Sequence, residues 1–301
     1  MTITRSPTNE TDGDAPLRVV RVGDRAVAYA EYGDPDGTPL LFLHGTPGSR
    51  LLGRLLDAAA REHEVRVFAP DRLGYGASDP WPDRTIEETA DALVAVLDDA
   101  DVASAGLVAF SGGAPYGLAA ATRHPERFDR LDVVSGAVPP ALSDETPPIQ
   151  RLLHRMARST PALLQALLRG QAWLSAQLDP AAVVAQYTTD GADDVPEDAA
   201  AVVKADFLEA VGGDAAAAAV EFRHAARWDP ATDGPPIAVR FHHGSRDANV
   251  PIDGARRFAD HFPGAAFDEY EGADHLGALL RAVPDVVGAQ RDERELAASP
   301  A

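Results

Sequence analysis

Ala105-Gly-Leu-Val-Ala-Phe-Ser111-Gly-Gly-Ala-Pro-Tyr-Gly-Leu-Ala119 is the stretch that decides how this chain folds. Gly106 to Phe110 reads as a short buried strand and Gly113 to Arg123 as a helix, which leaves Ser111 in a turn of almost no length between them. A chain that passes from strand to helix within a residue or two strains its backbone at the pivot. It also needs small neighbours there, because strand and helix nearly touch. Ala109, Gly112 and Gly113 supply them. The same residues suit an ordinary glycine-rich turn, since Ala109 stands where the G-x-S-x-G pattern has its first glycine, so the rest of the chain must decide.

On the N-terminal side, Leu17 to Val22 and Arg25 to Tyr32 are β-rich runs around Gly23-Asp24, a hairpin signal. Leu40 to Leu43 is an unbroken apolar strand of the kind buried on both faces, and it ends in His44-Gly-Thr-Pro-Gly-Ser49. Ser49 can cap a helix from Arg50 to about Glu62. Val65 to Ala69 is the next strand, followed by the glycine-dense loop Asp71 to Asp79 and a helix that the Thr85/Glu88 capping box opens. On the C-terminal side, Leu131 to Ser135 is a strand, and after residue 236 come strands Ile237 to His242 and Ala266 to Tyr270, with helices Asp253 to His261 and Leu276 to about Gln290. Strands alternating with helices imply a mostly parallel, eight-stranded sheet with helices on both faces. Residues 139–236 interrupt the alternation with helical patterns alone, among them Gln150 to Met156 and Pro161 to Leu168, the latter read as ending at Gly170. The expected organisation is therefore a tail at 1–16, an α/β core at 17–138 and 237–290, a helical cap at 139–236, and a tail at 291–301.

The 47 acidic and 27 basic residues give a net charge of −20 and a pI near 4.7, which argues against nucleic acid or an anionic membrane as a partner. Lys204 is the one lysine, every other basic residue being arginine. Few lysines and many acids are the expected surface of a salt-adapted protein. The absence of cysteine excludes disulfides, thiolate nucleophiles and Cys-ligated metals. No run is apolar and long enough to cross a bilayer, and the start of the chain has no apolar signal core, so a soluble cytoplasmic protein is expected. No metal or cofactor is called for, and the oligomeric state is left open.

A serine hydroxyl is a poor nucleophile and needs a base within hydrogen-bond reach, itself oriented by a third group. Such partners must lie at the carboxyl ends of the strands, the edge that Ser111 occupies. His243-Gly-Ser-Arg-Asp247 and Gly272-Ala-Asp-His275 end strands there. His275 is preferred as base over His44 and His243. Asp247 is preferred as the acid over Asp274, because neighbouring side chains such as Asp274 and His275 rarely face each other productively. Backbone N–H groups of Gly112, at a helix N-terminus, and Thr46 are the expected donors to a developing oxyanion. His44, Leu152, Met156, Trp173 and Trp228 are candidates to line a substrate pocket, though each also suits packing on a helix face.

Taken together, Phe42-Leu-His-Gly-Thr-Pro-Gly-Ser49, Asp71-Arg-Leu-Gly-Tyr-Gly-Ala-Ser78, the Ser111 turn, Gly244-Ser-Arg-Asp247 and Gly272-Ala-Asp-His275 resemble the α/β-hydrolase superfamily, collinearly from about Val27 to about Val287. The order Ser, Asp, His is that superfamily's order. The resemblance implies a Ser-His-Asp serine hydrolase with a cap inserted after the sixth strand, acting on a small ester or related acyl compound through an acyl-enzyme. Within the superfamily, the His-Gly-Thr-Pro-Gly run is similar to that of proline iminopeptidases, whereas Asp-Arg-Leu-Gly-Tyr-Gly departs from their Asp-Gln-Arg-Gly. Haloalkane dehalogenases and epoxide hydrolases resemble this chain in fold and cap but use an elbow aspartate where this chain has Ser111. A cofactor-free perhydrolase or haloperoxidase-like enzyme, and a non-catalytic ligand-binding protein on the same scaffold, are the alternatives.

Overall fold

The computed structural model describes residues 15–143, 146–185, 188, 195–213, 215–230 and 234–298. Eight strands form one sheet: β1 (Arg18–Val22), β2 (Arg25–Gly33), β3 (Thr38–Leu43), β4 (Val65–Pro70), β5 (Ala105–Phe110), β6 (Phe128–Val134), β7 (Ala238–Gly244) and β8 (Ala266–Tyr270). Their order is β1-β2-β4-β3-β5-β6-β7-β8. The β1/β2 and β2/β4 pairs are antiparallel and every later pair is parallel.

Strand β5 shows why the central strands are continuously apolar. All six of its residues are buried. Leu107 and Ala109 enter one core with helices α2 (Ile86–Asp99) and α3 (Ala114–Arg123), whereas Val108 and Phe110 enter the opposite core with α10 (His275–Ala298). A strand covered on both faces has no polar side to present. α1 (Asp57–Glu62) packs on the α10 side, and α9 (Ile252–Ala259) puts Phe258 into the core on the other. The predicted helix from Arg50 is in fact a 3-10 stretch, Arg50–Leu56, that continues as α1; Ser49 Oγ does accept the Leu51 N–H at its start.

Between β6 and β7 lie α4 (Pro148–Ser159), α5 (Pro161–Ala176), α6 (Pro180–Val184), α7 (Glu197–Val211) and α8 (Ala216–Ala225), with no strand among the described residues. Of these, α4, α5, α7 and α8 share a small core that includes Met156, Leu164, Leu168, Phe207 and Val211 and takes in Tyr75 from the loop after β4, whereas α6 puts Val184 into the core on the α10 side. Two expectations are corrected here. Gly170 does not end α5, which runs six residues further: the glycine lies on an open face, where it costs only about 1 kcal/mol relative to alanine. Likewise α10 continues through Gln290 to Ala298, so most of the expected C-terminal tail is helix, while residues 1–14 and 299–301 of the two tails lie outside the described residues. No helix among the described residues is long and apolar enough to cross a membrane.

Candidate active site

The turn after β5 has the tight geometry its sequence requires. Ser111 sits at φ +51°, in the left-handed region that an L-residue other than glycine adopts only at a cost, and the 3-10 turn Ser111–Gly113 leads straight into α3. A methyl group on Gly117 would stand 2.7 Å from Ala109 Cβ, so the close approach of helix to strand is made possible from the α3 side. Ala109 is tolerated in place of glycine because Gly117 faces it.

The turn presents Ser111 Oγ to an imidazole. His275, the first residue of α10, places Nε2 2.9 Å from Ser111 Oγ and Nδ1 2.7 Å from Asp247 Oδ2. With Asp247 accepting, the proton is on Nδ1, and Nε2 is left to accept from the hydroxyl. The ring lies against Phe110 at 5.1 Å and is mostly covered. Asp247 is fixed in turn: its Oδ1 accepts from the N–H groups of Asn249 and Val250, at 2.9 Å each. Burial alone would raise its pKa, but the His275 and His243 rings together with the Val250 N–H outweigh that and hold it below the ordinary carboxylate value. The two rejected partners are occupied elsewhere. Asp274 accepts from Thr188 Oγ1 and the Gly277 N–H, and His243 Nε2 donates to Val250 O at 2.8 Å.

Beside Ser111 lies the end of the β3 loop. A Cβ on Gly112 would stand 2.3 Å from Thr46 Oγ1 and 3.1 Å from Thr46 N, so the two backbone amides expected to receive an oxyanion are neighbours. Among the described residues the Thr46 N–H has no backbone acceptor. His44 shapes this loop from behind: its Nδ1 donates to Gly45 O at 2.8 Å and its Nε2 accepts the Arg72 N–H at 3.2 Å. Burial, with Arg72 alongside, pushes its pKa well down, so the ring is neutral.

Over the loop sits a buried ion cluster. Glu221 of α8 accepts from Arg72 Nε at 2.8 Å and Nη2 at 2.7 Å, from Tyr75 Oη at 3.0 Å, from Thr46 Oγ1 at 2.5 Å and from Arg84 Nη2 at 3.4 Å. Burial would raise its pKa, but Arg72 and Arg84 override that and pull it down to about 2. Arg72 also donates to Gly45 O at 2.9 Å and to His44 O. Glu221 therefore joins the inserted helices to the loop that carries Thr46.

A cavity of about 100 Å³ opens at Ser111 and Gly112, walled by Thr46 and Tyr116 from the core side and by His154, Glu221 and Phe222 from the inserted helices. None of the five candidate pocket residues lines it. His44 is buried behind the loop, Met156 packs inside the helical segment, and Trp228 stands edge-on to Phe258 in the main core at 5.3 Å. Leu152 and Trp173 face outward, 49% and 70% exposed. Amphipathic spacing identified the helices correctly but not which of their faces meets the serine. Among the described residues no group of three or more His, Asp or Glu side chains is arranged to hold a metal ion.

With this geometry in view, residues 38–178 match the family model described as alpha/beta hydrolase fold. The chain has the α/β-hydrolase fold. A haloalkane dehalogenase from Mycolicibacterium paratuberculosis is 31% identical over 138 residues, 45% of this chain and 46% of that protein. The chain thus matches less than half the length of its first curated relatives. Across the whole α/β-hydrolase fold the likeness is broader. An α/β-hydrolase fold protein from Nakamurella multipartita superposes with a TM-score of 0.63 at 22% identity, covering 93% of this chain and 98% of its own. An esterase from Exiguobacterium antarcticum gives 0.65 at 17%, covering 89% and 96%.

Two acids of this chain escaped the sequence reading. Glu221 of α8 and Asp206 of α7 are both buried, and neither was among the candidate site residues. Asp206 Oδ1 accepts from Ser49 N at 2.6 Å and Ser49 Oγ at 2.9 Å, tying α7 to the start of the 3-10 stretch; burial pushes its pKa up to about 7. The one available signal was a lone acid in an apolar run, as in Ala218-Ala-Val-Glu-Phe222.

Proposed function

We propose that the chain is a cofactor-independent serine hydrolase that cleaves small carboxylic esters through an acyl-enzyme, with residues 139–236 as its cap. The observation that carries this reading is the continuous hydrogen-bond path from Asp247 Oδ2 through the His275 ring to Ser111 Oγ. In this mechanism Ser111 Oγ attacks the ester carbonyl while His275 Nε2 takes its proton, and Asp247 holds the ring's tautomer and stabilises the imidazolium. The carbonyl oxygen gains charge and is met by the N–H groups of Gly112 and Thr46, each such donor being worth about 10²–10³ in rate. His275 returns the proton to the leaving alcohol, then draws one from the water that releases the acid.

A hydroxyl at the elbow supports acyl transfer, in contrast to the alkyl-enzyme chemistry of an elbow aspartate. The cavity supports a small acyl group: its volume of about 100 Å³ is below the roughly 150 Å³ of a cavity that holds a benzene. The test is hydrolysis of para-nitrophenyl esters of increasing acyl length beside matched anilides, with Ser111→Ala as control. Short esters are expected to be turned over fastest and the variant to be silent. Activity that survives in Ser111→Ala would contradict the proposal, and turnover that appears only with peroxide and an organic acid would favour the perhydrolase alternative.

A further inference from the structure

Helix α4 carries a charge pattern opposite to that of the chain. Acidic residues outnumber basic ones 47 to 27 overall, yet Arg151, Arg155 and Arg158 recur along α4 at a spacing that puts them on one face. Together with Arg227, just past α8, they line one open groove of about 600 Å³. Among the described residues no acid lines that groove, and no ion pair engages any of the four guanidinium groups. Like charges sharing a wall repel one another, so the arrangement weakens the fold unless an anion comes to lie between them.

The groove adjoins the Ser111 cavity. Pro140, Thr146 and His154 line both. His154 is half-buried against Phe222, with ring centroids 6.2 Å apart, and burial lowers its pKa, so the junction itself is uncharged. The inner cavity has room for only a short group beside the serine, and the adjoining arginine-lined groove has room for the rest of a substrate. A cleft lined by one sign of charge concentrates ligands of the other sign.

From this we infer that the groove is an anchoring site for an anionic oxygen group, carboxylate or phosphate, borne by the ester that Ser111 cleaves; the inference rests on the hydrolase reading above. Guanidinium forks match both groups in shape and charge. A lipid surface is the competing occupant, since Ile149 and Leu152 are exposed on the same helix. The concave groove leading to the serine favours the small anion.

The experiment compares para-nitrophenyl esters of hexanoate to decanoate with the same chains ending in a carboxylate. At low salt the anionic series is expected to be favoured about tenfold in kcat/KM, mainly through KM, and the preference should vanish in about 1 M salt. Arg155→Gln/Arg227→Gln should abolish it and leave the neutral esters unchanged. Equal treatment of the two series by the wild type, or an equal loss on both in the variant, overturns the inference.

A binding measurement separates this from the hydrolase reading. In Ser111→Ala protein, calorimetry with monomethyl suberate and methyl ω-phosphonohexanoate should show about tenfold tighter binding than dimethyl suberate, lost in the arginine variant. Anion binding without any ester turnover would defeat the catalytic reading alone, and anion-blind binding would defeat the groove whatever the turnover. Cosedimentation with phosphatidylglycerol vesicles, if lost in the arginine variant while small anions go unrecognised, would assign the arginines to a lipid surface and overturn the proposal.

Discussion

Replacing Glu221 by glutamine keeps the shape of the side chain and removes its charge. The Arg72 and Arg84 side chains, 0% and 1% exposed, would then share a dry site without an anion, and an amide N–H would face the Thr46 and Tyr75 hydroxyls that now donate there. Two routes give the size of the effect. A buried pair broken from one side costs about 3–5 kcal/mol. Independently, a carboxyl that titrates at about 2 in the folded chain against 4.5 when free contributes about 3 kcal/mol at neutral pH. The sign follows from the depressed pKa: this stability is present above about pH 4.5 and is lost as pH falls towards 2. For a chain of 301 residues the loss lowers Tm by about 5–8 °C. Because Glu221 also holds Thr46, kcat on a short ester should fall at least tenfold as the oxyanion donor loosens, a misplacement of about 1 Å being worth up to 10² in rate. Scanning calorimetry at pH 7 and at pH 3.5, with kcat measured beside it, checks both. A variant that melts within a degree of the wild type at pH 7, or whose deficit grows on acidification, would refute the reasoning.

Asp206 should behave in the opposite sense. A carboxyl whose folded pKa is raised to about 7 holds its proton longer in the native state, so the stability it costs is absent in acid and grows as pH rises. Asp206→Asn should therefore gain on the wild type by on the order of 2 kcal/mol between pH 5 and 8 in urea titrations, and a constant difference would contradict this. Asp247→Asn should preserve the fold and lower kcat by about 10³–10⁴, because an amide there favours the wrong imidazole tautomer; a loss under tenfold would remove Asp247 from the relay. Gly117→Ala should cost about 1–3 kcal/mol through its clash with Ala109, and adding Ala109→Gly should restore most of it; additive losses in denaturant melts would show that the two do not touch.

Much of this was legible in the sequence for identifiable reasons. Strands β3, β4 and β5 are buried on both faces or nearly so, a demand that mostly apolar runs satisfy. Ser111, Asp247 and His275 could be chosen because parallel topology sends strand ends to one edge, which limits the candidates to a few loops. What stayed hidden depends on neighbours that are distant in sequence. Leu152 and Trp173 have the apolar character of a pocket wall, but no element among the described residues covers them; Glu221 and Asp206 have the character of surface acids, but Arg72 and Ser49 meet them in the interior. Gly170 shows the limit of local signals, since one exposed glycine costs too little to break a helix held by Leu164, Leu168 and Ala172.

The central claim is that the hydroxyl of Ser111 is activated by His275 within the folded chain. Labelling the native protein with a fluorophosphonate and mapping the adduct by peptide mass spectrometry tests it most directly. A single adduct on Ser111, absent after denaturation and in Ser111→Ala and strongly slowed in His275→Ala, is the predicted result; unlabelled native protein, or labelling that persists without His275, would contradict it.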